Sequence, residues 1–250
     1  MICVSVVSHG HGQMVARLVQ SLLACPEVGQ VLLTLNTPES LDLDSDERLQ
    51  ILWNDTPKGF GANHNFAFTL CRQDFFCVLN PDISFLGSPF PPLLAAMSDA
   101  DLSMVAPFVY SPEGKIEDSF RRFPTLTRLF AKALGGRVDL YVLGDGKGVF
   151  LPDWVAGMFM LFRRGVFEAL EGFDENYFLY YEDVDICVRC WKNGQQVAVC
   201  SDVSVTHDAQ RASHHSARHM RWHASSMALF FFKHWLRLPV VKNVWLEWKV

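Results

Sequence analysis

The sequence predicts an α/β fold with a mostly parallel, doubly wound sheet, and three observations predict it. Short apolar runs rich in β-branched residues recur at Ile2 to Val7, Gln30 to Leu35, Leu49 to Trp53 and Phe75 to Leu79. A helical pattern with Met14, Leu18 and Leu22 on one face separates the first two and stops at Cys25-Pro26. This β-loop-α-β rhythm belongs to parallel crossover sheets. Finally, half of the 250 residues are hydrophobic, enough for a sizeable core in one large domain or one domain with an appendage.

In such sheets ligands bind beyond the carboxyl ends of the strands. The first strand ends in Ser8-His9-Gly10-His11-Gly12, the second at Asn36, the third at Asn54 and the fourth at Asn80-Pro81-Asp82. Between the last two lies Lys58-Gly59-Phe60-Gly61-Ala62-Asn63-His64-Asn65, feeding a helix that runs to about Cys71. Its glycines allow close backbone approach, and a Gly-rich turn at a helix start can approach phosphate or ribose. It is neither a P-loop nor a GxGxxG motif. Asn80 and Asp82 offer hard oxygen ligands suited to Mg²⁺ or Mn²⁺, although the same tripeptide also reads as an ordinary turn.

A helix from Pro89 to Met97, a strand from Met104 to Tyr110 and a turn at Ser111-Pro112-Glu113-Gly114 come next. Arg121-Arg122 brings paired cations to a loop, either solvated or facing an anion. Leu126 to Leu134 has amphipathic helical spacing, and the Gly-rich stretch 135–148 is a candidate lid. Trp154, in Asp153-Trp154-Val155-Ala156-Gly157, suits the apolar face of a sugar and equally suits a core. Val166 to Leu170 reads as a short helix.

The acidic stretch GFDENYFLYYEDVD, Gly172 to Asp185, then leads into another helix. Val184, Cys187, Val188 and Trp191 recur at i, i+3, i+4, i+7, so residues from about Asp183 to Asn193 have one buried face, with Gly194 as the stop. Glu182, Asp183 and Asp185 occupy the first turn, where the helix dipole favours carboxylates. Glu182 and Asp185 share a side, and Asp183 points about 100° away. One carboxylate can anchor the turn while another faces a pocket.

Cys187 and Cys190 form a lone CxxC on the apolar helix face, which argues against a metal or redox role. Val197 to Val199 and Val203 to Val205 read as two strands, the second ending at Thr206-His207. His214, His215, His219 and His223 crowd one helix among Arg211, Arg218 and Arg221. No carboxylate or cysteine joins them to favour zinc, so this face suits an anionic group. The tail after Leu229 mixes Phe, Trp, Leu and Val with Lys233, Arg237, Lys242 and Lys249. Its charges come too often to cross a bilayer. It reads as an interfacial segment, with a packed or dimer helix as the alternative.

The net charge of −5 argues against general nucleic-acid binding. Seven cysteines scattered through apolar runs read as a reduced, cytosolic chain. MICVSVVS has no basic n-region or cleavage site, so no signal peptide is expected.

From Val4 to about Trp235 the chain resembles family-2 glycosyltransferases of the GT-A fold. The resemblance is closest to bacterial rhamnosyltransferases that build O-antigen and related cell-surface polysaccharides. It rests on GFDENYFLYYEDVDICVRC, with DWVAGMFMLFRRGVF before it and VSVTH after it. The resemblance implies a nucleotide-sugar half at about 1–110 and an acceptor half at about 111–210. Residues 211–250 would form C-terminal amphipathic helices, peripheral on the cytoplasmic membrane face.

Ser8, His9 and Asn36 would lie on the nucleoside, with Gly59, Gly61 and Asn65 on the same side. Asn80 and Asp82 stand where the family usually has Asp-x-Asp, and with His207 would hold Mg²⁺ or Mn²⁺. Leu35 stands where the family usually has an Asp for the base. Arg121, Arg122 and Arg211 would contact diphosphate. Trp154 and Gly157 would line the sugar site, with Glu182 on the acceptor and Asp183 as catalytic base. The implied reaction is inverting transfer from dTDP-L-rhamnose to a polyprenyl-diphosphate-linked saccharide. The alternatives are another donor such as a UDP-hexose, or a non-catalytic sugar-nucleotide-binding subunit.

Overall fold

β1 (Ile2–Ser8) is buried along its whole length, as a strand covered on both faces must be. In the computed structural model, which describes residues 1–135, 141, 148–208, 217–234 and 236–246, it sits inside a ten-stranded sheet. Next to it on one side lie β2 (Val28–Leu35) and β3 (Leu49–Trp53), and on the other β4 (Phe75–Leu79), all parallel. Alternate residues of β1 serve opposite faces. Val4 and Val6 pack with α1 (Gln13–Leu23) and α3 (Phe90–Asp99). Cys3 packs in the core that includes α2 (Phe60–Thr69), α5 (Arg164–Ala169), α6 (Glu182–Lys192) and α7 (Ala217–His234). The result is helix, sheet, helix.

The sheet is mixed, which corrects the expectation of a mostly parallel one. β10 (Phe159–Arg163) runs antiparallel between β4 and β6 (Met104–Tyr110). Apolar alternation carries no information about strand direction. β10 positions the site. Because it runs against β4, its first residues lie beside the last of β4, and Asn80 donates its N–H to the Met158 carbonyl at 2.9 Å.

β11 (Val197–His207) is one strand where two were expected. It pairs parallel with β6, and its register shifts between Cys200 and Ser204. Such a bulge bends a strand without ending it. Beyond it His207 pairs with Ile83 in β5 (Ile83–Ser84), which places it next to Asp82. β8 (Val149–Phe150) adds to β11, and β7 (Phe120–Arg121) pairs with β9 (Trp154–Val155) in a separate ribbon. α4 (Leu126–Ala133) follows that ribbon's first strand.

The C-terminal segment is not helical throughout. After α7, Pro239 lacks the N–H a helix needs, and β12 (Trp245–Leu246) joins the central sheet antiparallel to β8. Its Trp245 ring lies 5.3 Å from that of Phe150. All seven cysteines, the CxxC pair included, are free and buried.

Candidate active site

The acidic helix start is held in an uncommon backbone. Tyr180 and Tyr181 have φ of 72° and 68°. Bulky residues rarely adopt this left-handed region, which costs on the order of 1–3 kcal/mol each and persists only where the surroundings enforce it. Here α7 enforces it. Ser226 donates its hydroxyl to the Leu179 carbonyl at 2.9 Å, and Tyr180 Oη lies 2.9 Å from His219 Nδ1. The Tyr181 ring packs against His223 and Phe230. The turn delivers Glu182 and Asp183 to a cavity of about 450 Å³, whose wall includes Arg121, Arg122, Arg128, Trp154 and His223.

The three acids of this turn have different surroundings. Asp183 Oδ2 accepts from the Gly157 N–H at 3.0 Å and Oδ1 from the Val184 N–H at 2.8 Å. A Cβ on Gly157 would crowd the Phe60 ring, at 3.0 Å from its Cζ, while standing at ordinary contact distance, 3.6 Å, from Asp183 Cβ. Burial pushes the Asp183 carboxyl up, while those two amides and Arg121 pull it back. Glu182 is 4% exposed and its Oε2 has no hydrogen-bond partner. Burial, then the neighbouring Asp183, push its carboxyl well up. Asp185 is fully buried, with His234 Nε2, Lys233 Nζ and Arg189 Nε each 2.7 Å away. Burial opposes its charge, but the His234 hydrogen bond and the Arg189 and Lys233 charges hold its carboxyl well below the usual range.

Trp154 is fixed by its own N–H, which donates to the Arg122 carbonyl at 3.0 Å. The Arg121 guanidinium lies 5.8 Å from the Trp154 ring centre and pairs with Asp118. Arg122 lies 4.8 Å from the Tyr141 ring. Both arginines line the cavity that holds Glu182 and Asp183. Arg211 lies outside the described residues.

The strand-end residues of the N-terminal half form a second cluster. Asn36 is buried and pins the 58–59 turn. Its Oδ1 accepts from the Lys58 N–H at 2.9 Å and from Asn54 at 2.6 Å, and its Nδ2 donates to the Lys58 carbonyl at 2.9 Å. Asn54 also donates to Asn63 at 2.6 Å, and the His9 ring lies 3.3 Å from the Asn36 amide. Ser8 Oγ accepts from the His11 N–H at 3.2 Å. Glu39 accepts from the N–H groups of Gly10 and Gly12 at 3.1 and 3.0 Å. Asn63 and Glu39 carry no sequence signal of their own, and only the loop geometry gives them a role.

Gly59, Gly61 and Asn65 face the acidic stretch. A Cβ on Gly59 would stand 2.6 Å from the Phe178 carbonyl, and one on Gly61 2.8 Å from Phe173 Cβ. The Asn65 amide brackets Phe173, accepting its N–H at 2.9 Å and donating to its carbonyl at 2.8 Å. Contacts of this helix start with residues 173–178 therefore tie α2 to the acidic stretch.

A third group closes the far end of β4. Asp82 Oδ2 and His207 Nε2 are 3.2 Å apart. Burial opposes protonation of His207, but the Asp82 hydrogen bond and charge raise its pKa. Asp82 Oδ1 and His207 Nδ1 are buried without partners.

Residues 111–225 match the family described as Glycosyltransferase like family 2. Over 97% of its length the chain is 26% identical to the rhamnosyltransferase WbbL of Escherichia coli K12, spanning 96% of that protein. It is also 30% identical to an N-acetylglucosaminyl-diphospho-decaprenol L-rhamnosyltransferase of Mycobacterium tuberculosis, over 67% of this chain and 59% of the relative. The chain is a family-2 glycosyltransferase of the GT-A superfamily.

Solved structures agree on the fold of this glycosyltransferase. GalNAc-T7 with UDP, GalNAc and Mn²⁺ superposes with a TM-score of 0.62 at 14% identity, covering 85% of this chain and 44% of that one. A Pyrobaculum calidifontis mannosyltransferase with GDP-Man and Mn²⁺ gives 0.58 at 13%, covering 96% and 65%. Those structures hold Mn²⁺. In this glycosyltransferase the orphaned oxygen of Asp82 and the imidazole of His207 fit a divalent ion, and the imidazole suits Mn²⁺ over Mg²⁺. Among the described residues no group of three or more His, Cys, Asp or Glu could hold a metal. A cation here would need phosphate or water to complete its shell. The α7 histidines serve otherwise, since His219 and His223 pack on Tyr180 and Tyr181, while His214 and His215 lie outside the described residues.

Proposed function

We propose that the protein is an inverting transferase moving L-rhamnose from dTDP-L-rhamnose to a hydroxyl of a polyprenyl-diphosphate-linked saccharide, in O-antigen or related polysaccharide synthesis. One observation carries the transfer chemistry. Asp183 enters the cavity with its orientation set by two backbone amides, beside a Glu182 whose carboxyl is pushed toward the neutral form by burial and by Asp183. Both carboxyls are raised, but only Asp183 has the Gly157 and Val184 amide contacts and the Arg121 charge that favour its ionised form, so Asp183 is the base. It takes the proton of the acceptor hydroxyl as that oxygen bonds to the anomeric carbon. The bond from that carbon to the diphosphate breaks on the opposite face, and the nucleoside diphosphate leaves with the electron pair. Glu182 and Trp154 shape the acceptor and sugar side. Ser8, His9 and Asn36 form the nucleoside end.

A Mg²⁺ or Mn²⁺ ion held by Asp82 and His207 supplies charge neutralisation for the diphosphate when bound. The rhamnosyl donor and lipid-linked acceptor are read from the names of the two relatives, a rhamnosyltransferase and an N-acetylglucosaminyl-diphospho-decaprenol L-rhamnosyltransferase. A membrane-face location follows from the acceptor. Among the described residues no helix is long and apolar enough to cross a membrane, while Phe232, Leu236 and Val240 are 87%, 93% and 98% exposed.

Thermal-shift titration with dTDP-L-rhamnose, UDP-hexoses and GDP-sugars, with and without Mn²⁺, tests the donor. The largest shift is expected from dTDP-L-rhamnose with Mn²⁺, and Asp82→Ala should abolish the dependence on the ion. A larger shift with a UDP-hexose would replace the donor. Binding without transfer to any lipid-linked acceptor would favour a non-catalytic subunit.

A further inference from the structure

We infer that α4 seats the mouth of the acceptor cavity on an anionic phospholipid bilayer. The proposal rests on the lipid-linked acceptor of the preceding section and names the surface on which the enzyme meets it. Leu126, Phe130 and, one residue past the helix, Leu134 recur every four residues, and the Leu134 N–H still donates to the Phe130 carbonyl at 3.1 Å, so the three lie along one side. They are 48%, 69% and 74% exposed. An amphipathic helix of a soluble protein normally turns its apolar stripe to the core, and this one turns it outward. Leu129 and Arg128, on the same helix, line the cavity that holds Asp183. One short element therefore touches the site with some residues and offers bare aliphatic and aromatic surface with others.

Charge selects the occupant. From Ser119 to Gly135 the sequence has no acid and carries Arg121, which pairs with Asp118, together with Arg122, Arg128 and Lys132. Apolar residues among cations match the boundary of an anionic bilayer, where the stripe enters the acyl region and the cations meet head groups. The surface continues into the C-terminal segment. Arg122, just before α4, donates to Asn243 at 3.5 Å, and that segment exposes Val240 and Val244 and has no acid from Ala209 to Leu246. A lipid-linked acceptor carries its diphosphate at this same boundary, so an enzyme lying on α4 meets the saccharide at the cavity mouth.

The test uses the full chain and L126S/F130S/L134S, whose altered residues do not line the cavity. Vesicles of phosphatidylcholine with about 30% phosphatidylglycerol are compared with pure phosphatidylcholine by co-sedimentation. The wild type should bind the anionic vesicles and be released by salt, and the variant should partition about tenfold more weakly or less. Phe130→Cys carrying a polarity-sensitive dye gives a second reading, because the native cysteines are all buried. Its emission should shift to the blue on anionic vesicles. Equal sedimentation of the wild type and the triple variant, or an unshifted dye, overturns the proposal. So does a wild-type dimer that the triple variant dissolves while neither protein binds vesicles, since a second copy would then cover the stripe. Transfer to a short-chain, water-soluble acceptor separates the two readings. Both proteins should perform it equally. If neither does while the vesicle result holds, the acceptor assignment fails and the bilayer contact stands.

Discussion

Glu182 and Asp185 lie one turn apart on α6, both buried, and the protein treats them in opposite ways. Asp185 has Arg189, Lys233 and the His234 imidazole each 2.7 Å away and is held ionised. Glu182 Oε2 has no hydrogen-bond partner, and its carboxyl is pushed toward the neutral form. Burial alone therefore does not decide charge; the partners do. The Asp185 side is an anchor that ties α6 to Lys233 and His234 of α7. The other side, with Asp183, lines the cavity proposed as the site. Truncating the chain after Phe230 would break the anchor, so the tail's membrane role is better tested by substituting Phe232, Leu236 and Val240.

The largest expected effect comes from the residue between them. Asp183→Asn keeps the hydrogen-bonding shape but cannot take a proton, so kcat should fall by about 10²–10⁴-fold with donor binding nearly unchanged. Wild-type turnover in that variant would move the base to Glu182.

Asp185→Asn attacks the anchor. It leaves the partly exposed Arg189 and Lys233 without their buried counter-charge, which costs about 1–3 kcal/mol, or a fall in Tm of roughly 5 °C. The pH dependence has a definite sign. Because the folded carboxyl sits below its unfolded value, its contribution is full above about pH 4 and is lost as the pH falls through the folded value. Thermal melts from neutral to acidic pH should show the gap between wild type and variant closing at the acid end. A constant gap would mean the charge is not what matters.

Ser226→Ala removes the α7 hydroxyl that holds Leu179 beside the two left-handed tyrosines. The expected loss is about 1 kcal/mol of stability with a disproportionate fall in kcat, because the acidic turn is freed to relax. If melting temperature falls and turnover does not, α7 merely packs there.

Glu182→Gln should do least. An amide resembles the neutral carboxyl, so kcat should stay within about tenfold of wild type. A carboxyl raised in the folded state makes the wild type lose stability as the pH rises above about 4.3, and the variant escapes that loss. The variant should therefore gain on the wild type in melting temperature between acidic and neutral pH. A variant that loses ground instead would show Glu182 ionised.

Much of the architecture was legible because it is written in local periodicity. Leu49–Trp53, Phe75–Leu79 and Met104–Tyr110 are strands with the limits the sequence suggests, since an apolar run between turns specifies a strand with little help from the rest of the chain. The first-turn position of Glu182, Asp183 and Asp185 was legible for the same reason. The direction and neighbours of β10 were not, because alternation is the same for parallel and antiparallel partners. The bulge that makes β11 one strand and brings His207 to Asp82 was hidden by Ser201-Asp202, which reads as a turn.

Residue types and helical spacing alone determined an acidic helix start, polar residues at the strand ends and a Trp beside small residues; the enzyme family came from the resemblance of the motifs around them. Only the tertiary structure decided which acid is anchor and which is site, because that depends on Lys233 and His234, far along the chain. It likewise decided that Gly59, Gly61 and Asn65 tie α2 to the acidic stretch and that α4 turns its apolar side outward. A sequence states what each side chain can do; its charge state and its facing depend on the partners that folding brings within a few ångströms.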